Sequence, residues 1–144
     1  MRIRWVVAAV ATMAIAGCSS GPPDYQPEPG TLVAGTAQVS VNGQNAGTTE
    51  AVDCSPAGSL TTITTGDQTS GVTTLVSNKG ELTAEAVSIN KVGGFTGSYN
   101  RGLGGEAKVT MTGRTYDITG TADGFDTANP SFRTSGTFAI KVAC

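Results

Sequence analysis

Two hydrophobic patterns divide the chain. One is a block: Trp5 to Ala14 (WVVAAVATMA) is apolar almost without interruption. The other begins near Leu32 and is an alternation, which sets one face of an extended strand against a core and the other against water. Val39 and Val41 alternate with Gln38 and Ser40, and Asn42-Gly43 follows as a two-residue hairpin signal. Val52 and Cys54 share a face, and Leu60 to Thr65 is Thr-rich and extended. Further runs are Val87 with Ile89, then Phe95, Gly97 and Tyr99, then Ala107, Val109 and Met111. After a turn at Gly113-Arg114 come Tyr116, Ile118, Gly120 and Ala122. Phe138, Ile140, Val142 and Cys144 make the cleanest alternation.

Residues 69–77 are ambiguous. Val72, Leu75 and Val76 have helical spacing, while the threonines favour a strand. Gly80 suits a helix C′ position or a hairpin turn. The spacing tips the reading towards one short helix. The pattern as a whole predicts a mainly β fold of about seven or eight short strands, an antiparallel β-sandwich or half-open β-barrel. No internal repeat of 20–50 residues is visible.

The apolar block belongs to an export signal. Arg2 and Arg4 precede it, and Ile15-Ala16-Gly17-Cys18 closes it as a lipobox. Small Ala16 and Gly17 admit the backbone to a signal peptidase, and the Cys18 thiol takes a diacylglycerol in thioether linkage. The block is shorter than the ~20 residues a membrane-spanning helix needs. Pro22, Pro23, Pro27 and Pro29 then favour an extended, semi-rigid spacer. The expected organisation is a lipoprotein signal peptide over 1–17, a lipidated Pro-rich tether over 18–30, and a single β-rich domain over 31–144.

Charge and composition narrow the function. The 144 residues carry nine Lys plus Arg against eleven Asp plus Glu. Such a sparse, slightly acidic chain lacks the clustered cations that nucleic acid or anionic lipid would require. Membrane contact is therefore assigned to the lipid anchor. The chain contains no histidine, which removes Ser-His-Asp and Cys-His catalysis and His-based metal sites. No cofactor is expected.

With Cys18 lipidated, Cys54 and Cys144 remain. An exported protein meets an oxidising compartment, and both cysteines lie on the inward parity of their strands, so a structural disulfide is expected. A redox-active pair would want close spacing and an exposed thiol. Carboxylates are the residual catalytic candidates: Glu81 with Glu85, or Asp117, Asp123 and Asp126. The loop Asp123 to Pro130 has oxygens suited to calcium, but turn chemistry accounts for the same residues. Gly102-Leu103-Gly104-Gly105 lacks the spacing of a nucleotide loop. Phe95, Tyr99 and Phe125 could line an apolar ligand groove, although core packing explains single aromatics equally well.

The lipobox, the tether, Val52-Asp53-Cys54, the run from Tyr116 to Pro130 (YDITGTADGFDTANP) and the ending Phe138 to Cys144 (FAIKVAC) together resemble the LpqH family of mycobacterial lipoprotein antigens. The likeness spans nearly all the mature body. It implies a lipoprotein of the cell envelope, lipid-anchored on the extracytoplasmic face of the cell membrane, with Cys18 as lipid site and Cys54–Cys144 as bridge. It also implies recognition by Toll-like receptor 2 through the acylated end, immune modulation and host adhesion. It carries over no catalytic residue. One departure is the tether, Thr-rich and O-glycosylated in the family antigen but Pro-rich here. The leading expectation is a non-enzymatic, lipid-anchored interaction protein. The alternative is an envelope carrier holding an apolar ligand where Gly97, Gly120 and Ala122 leave inward room, and last comes a carboxylate enzyme acting on envelope glycans.

Overall fold

The computed structural model describes residues 28–144. The readings of residues 1–17, of Cys18 and of most of the tether lie outside the described residues. From Ala37 onward the chain forms ten strands and, among the described residues, no helix. They are β1 (Ala37–Val41), β2 (Gln44–Thr49), β3 (Val52–Ala57), β4 (Leu60–Gly66), β5 (Gly71–Ser77), β6 (Thr83–Val92), β7 (Phe95–Asn100), β8 (Ala107–Thr112), β9 (Thr115–Asp126) and β10 (Thr134–Ala143).

All ladders are antiparallel and join into one sheet in the order β2-β1-β10-β9-β7-β6-β5-β4-β3. Strand β8 lies off this path. It pairs with the first half of β9, from Thr115 to Gly120, while β7 pairs with the second half, from Asp123 to Asp126. The sheet curls into a nearly closed barrel. Its two end strands, β2 and β3, are consecutive in the chain and joined only by Glu50 and Ala51.

Tight turns set the register. Asn42 and Gly43 both take positive φ, at 52° and 77°, as a two-residue hairpin of the expected kind demands. Gly93 and Gly94, at 59° and 73°, turn β6 into β7. The interior is built from the alternating residues: Val41, Ile63, Val87, Ile89, Ile118, Ile140 and Val142 are buried around fully enclosed Phe95.

Residues 69–77 correct the helix reading. Strand β5 fills Gly71–Ser77, paired with β4 on one side and β6 on the other. Val72, Thr74 and Val76 are buried at a period of two, Ser77 at the strand's end is buried as well, and Leu75 stays half-buried. The threonines decide the outcome, because β-branched side chains suit a pleated surface better than a helix. Gly80, at φ 82°, lies in the link from β5 to β6.

Candidate functional site

The first described residues meet the barrel at a defined end. The Leu32 amide donates to Thr115 Oγ1 at 3.1 Å. The Gly35 amide donates to the Ala143 carbonyl at 2.9 Å, and the Ala143 amide to the Thr36 carbonyl at 3.0 Å. Residues 32–36 therefore dock beside the end of β10, next to Cys144. That cysteine is bonded to Cys54 of β3, 90 positions earlier, with Cα atoms 6.0 Å apart. From Thr115 opposite Ala143 to Gly124 opposite Thr134, β9 and β10 run paired away from this end. Ten positions at ~3.3 Å put the loop beyond them, residues 127–133, on the order of 30 Å from the docked segment. Phe132 on that loop is 74% exposed.

The three aromatics named from sequence do not converge. Phe95 and Tyr99 lie on the inner face of β7 and are buried. The Phe95 ring sits over two glycines: a Cβ on Gly97 would stand 2.6 Å from its Cζ, and one on Gly136 2.9 Å. Gly120 likewise receives the Phe138 ring, whose Cζ would be 2.9 Å from an added Cβ. The inward room expected at Gly97 and Gly120 is thus filled by the protein's own rings. Phe125 pairs with Thr96 and faces outward. It lines an open depression of about 600 Å³ together with Ser88, Asn90, Asp123, Pro130 and Arg133. Sequence reading singled out Phe125 and Asp123 but not Ser88, Asn90 or Arg133. Their signal is cross-strand register, which hydrophobic periodicity does not encode.

The carboxylates are dispersed. Glu85 pairs with Arg101 at 3.1 Å, both at the surface. Asp117 stands opposite Lys141, whereas Asp123 accepts a hydrogen bond from Ser135 Oγ at 3.1 Å. Those two aspartates lie six positions apart along β9, roughly 20 Å, while a glycosidase pair works at about 5–9.5 Å. Among the described residues no cluster of three or more His, Cys, Asp or Glu could hold a metal ion. The loop after Asp126 is fastened by turn bonds. The Thr127 amide and hydroxyl both donate to the Gly94 carbonyl, at 2.9 and 3.2 Å, and the Asn129 amide to the Asp126 carbonyl at 2.9 Å. Among the described residues, the group whose titration shifts is Asp67, in the β4–β5 turn. The Thr69 hydroxyl and the Ser70 and Thr69 amides donate to its carboxylate and hold it below the usual carboxylate range.

Comparison with known proteins places the chain among lipoproteins of mycobacteria. Residues 30–144 match the family model described as the Mycobacterium 19 kDa lipoprotein antigen. A protein of Mycobacterium indicus pranii described as a lipoprotein is 38% identical over 147 residues, covering all of both chains. Another, from Mycobacterium avium subsp. hominissuis, is 33% identical over 96% of this chain and 92% of its own. The lipoprotein LpqH of Mycobacterium bovis is 32% identical over 108 residues, 74% of this chain and 68% of its own length.

Proposed function

The chain belongs to the Mycobacterium 19 kDa lipoprotein antigen family, and on that premise we propose that it is a lipid-anchored display protein whose acylated end engages a host receptor. In this reading Cys18 carries the diacylglycerol on the extracytoplasmic face of the membrane. Two or three acyl chains, at ~0.8 kcal/mol per buried methylene, anchor firmly where one would be marginal. The same chains fill a hydrophobic groove of the Toll-like receptor 2 type, and the barrel is an adhesive surface without catalysis.

The observation that carries this reading is the polarity of the molecule. The segment leading from the anchor docks beside Thr115 and Ala143, at one end of β9 and β10. The other end holds the loop with exposed Phe132 and the depression around Phe125. An anchor at one pole presents the other outward. Cys18→Ala is expected to abolish both membrane fractionation and receptor activation in a reporter-cell assay. A Cys18→Ala protein that stays in the membrane fraction or keeps full agonism overturns the reading. The alternative, an envelope carrier for an apolar ligand, is the less favoured reading, since Phe95 and Phe138 occupy the inward space at Gly97, Gly136 and Gly120.

A further inference from the structure

The outer face of the barrel carries a row of side chains that anchoring does not use. Thr64 of β4 stands opposite Thr73 of β5, which stands opposite Ser88 of β6, which stands opposite Ser98 of β7. Ser98 stands opposite Asp123 of β9, and Asp123 opposite Ser135 of β10. Six neighbouring strands thus contribute one hydroxyl or carboxylate each, in a line perpendicular to the strands. Thr64 is half-buried and the other five are exposed. Adjacent strands lie about 4.8 Å apart, so the line extends over roughly 24 Å. Two shallow depressions, of about 360 and 600 Å³, flank it and share Ser88 and Asn90. The half-buried ring of Phe125 lines the larger one.

We propose that this row is a binding track for a neutral linear glycan. Hydroxyls donate and accept at once, as a polyol ligand requires. Their interval is set by the strand spacing, and an extended pyranose chain advances by a closely similar step. Hydroxyl–hydroxyl bonds gain little over water, so an added apolar contact is needed, and Phe125 offers a ring for the C–H face of a sugar. Asp123 Oδ1 already accepts from Ser135, which holds the carboxylate oriented while its other oxygen stays available to a diol. The row's charge also selects its occupant. Arg133 at one end is no match for a chain of phosphates or uronates, which would need cations along the row. Beside the row a single aromatic ring, Phe125, is too little apolar surface for a lipid tail or an amphipathic helix to cover.

The test uses the full mature lipoprotein in detergent micelles. Probes are cellohexaose, mannohexaose and xylohexaose, the matching disaccharides, a hyaluronan hexasaccharide, and vesicles of phosphatidylcholine with phosphatidylglycerol. Amide chemical shifts and calorimetric titration are the readouts. At least one neutral hexasaccharide is expected to bind, shifting the amides of Ser88, Ser98 and Asp123. Its disaccharide should bind about tenfold more weakly or worse. Ser98→Lys, in the middle of the row, and Phe125→Ala are each expected to weaken binding by about tenfold or more, whereas Thr110→Lys, exposed on β8 off the row, leaves it unchanged. Thr73→Lys blocks the row from a different strand, so a misfolded Ser98→Lys does not end the test. Absence of binding by every neutral hexasaccharide, undiminished binding by folded Ser98→Lys or Thr73→Lys, or a response of these amides only to hyaluronan or vesicles overturns the proposal.

Discussion

Gly136 shows what the glycines of this chain do inside the barrel. A Cβ there would meet Phe95 Cζ at 2.9 Å and both Cε atoms at 3.0 Å. Phe95 has no exposed surface and cannot swing away. Gly136→Ala should therefore cost about 1–3 kcal/mol through overpacking, measured by urea unfolding, and Phe95→Leu in the same chain should recover part of the loss. Equal stability of Gly136→Ala and the parent would mean that the ring has slack the packing does not show. Asp67 is the residue-scale case for charge. Its lowered pKa means that the folded turn favours the carboxylate over the acid. The turn's contribution is present above the unfolded value, near 3.8, and fades as pH falls through the lower folded value. Thr69→Ala removes the largest cause, the side-chain hydroxyl bond. A pH titration followed by carboxyl carbon NMR should show the Asp67 midpoint moving up towards 3.8 in that variant. An unmoved midpoint would shift the credit to the backbone amides.

At the scale of the element, what could be read from sequence depended on whether a strand has one wet face and one dry. Strands β1, β9 and β10 do, and Val39, Ile118 and Ile140 announce them by parity. Strand β2 does not. Its residues Gln44 to Gly47 and Thr48 are exposed, and only Thr49 is partly covered, so it leaves no apolar trace and was legible only through the Asn42-Gly43 turn before it. Strand β5 failed for a different reason. Its inner face uses Thr74 where an apolar residue would have shown the period, and Leu75 on the other parity completed a false helical spacing with Val72 and Val76. Strand β6 shows its face at Val87 and Ile89, but a bulge opposite Leu75 and Val76 changes the parity before them, so buried Ala84 falls out of the alternation. The candidate site is less legible still. The outward row from Thr64 to Ser135 consists of ordinary exposed strand residues. It becomes a feature only once five registers line up, and register is a property of pairs of strands.

At the scale of the whole molecule, the disulfide has more to do than join two strands. Strands β2 and β3 end the sheet, and no backbone ladder joins them. Cys54 sits on end strand β3, and Cys144 follows β10, the third strand from the opposite end. The bond therefore spans the gap that hydrogen bonding leaves open, and it also fixes the β10 end beside which residues 32–36 dock. Both parts of this have consequences. With 90 positions between the cysteines, the chain-entropy model gives about 4–5 kcal/mol of stabilisation through the unfolded state. For a domain of this size that is a fall in Tm of roughly 15–20 °C when the bond is absent. Cys54→Ser with Cys144→Ser should show that fall by calorimetry, together with a larger urea m value, since the unlinked chain expands further on unfolding. Hydrogen exchange separates closure from entropy. If the bond closes the barrel, amides of β3 and of Gly35 lose protection in the double variant well before those at the centre of β9, which is paired on both edges. A uniform loss of protection across all ten strands would show instead that the barrel stays shut without the staple, and that the bond acts only on the unfolded chain.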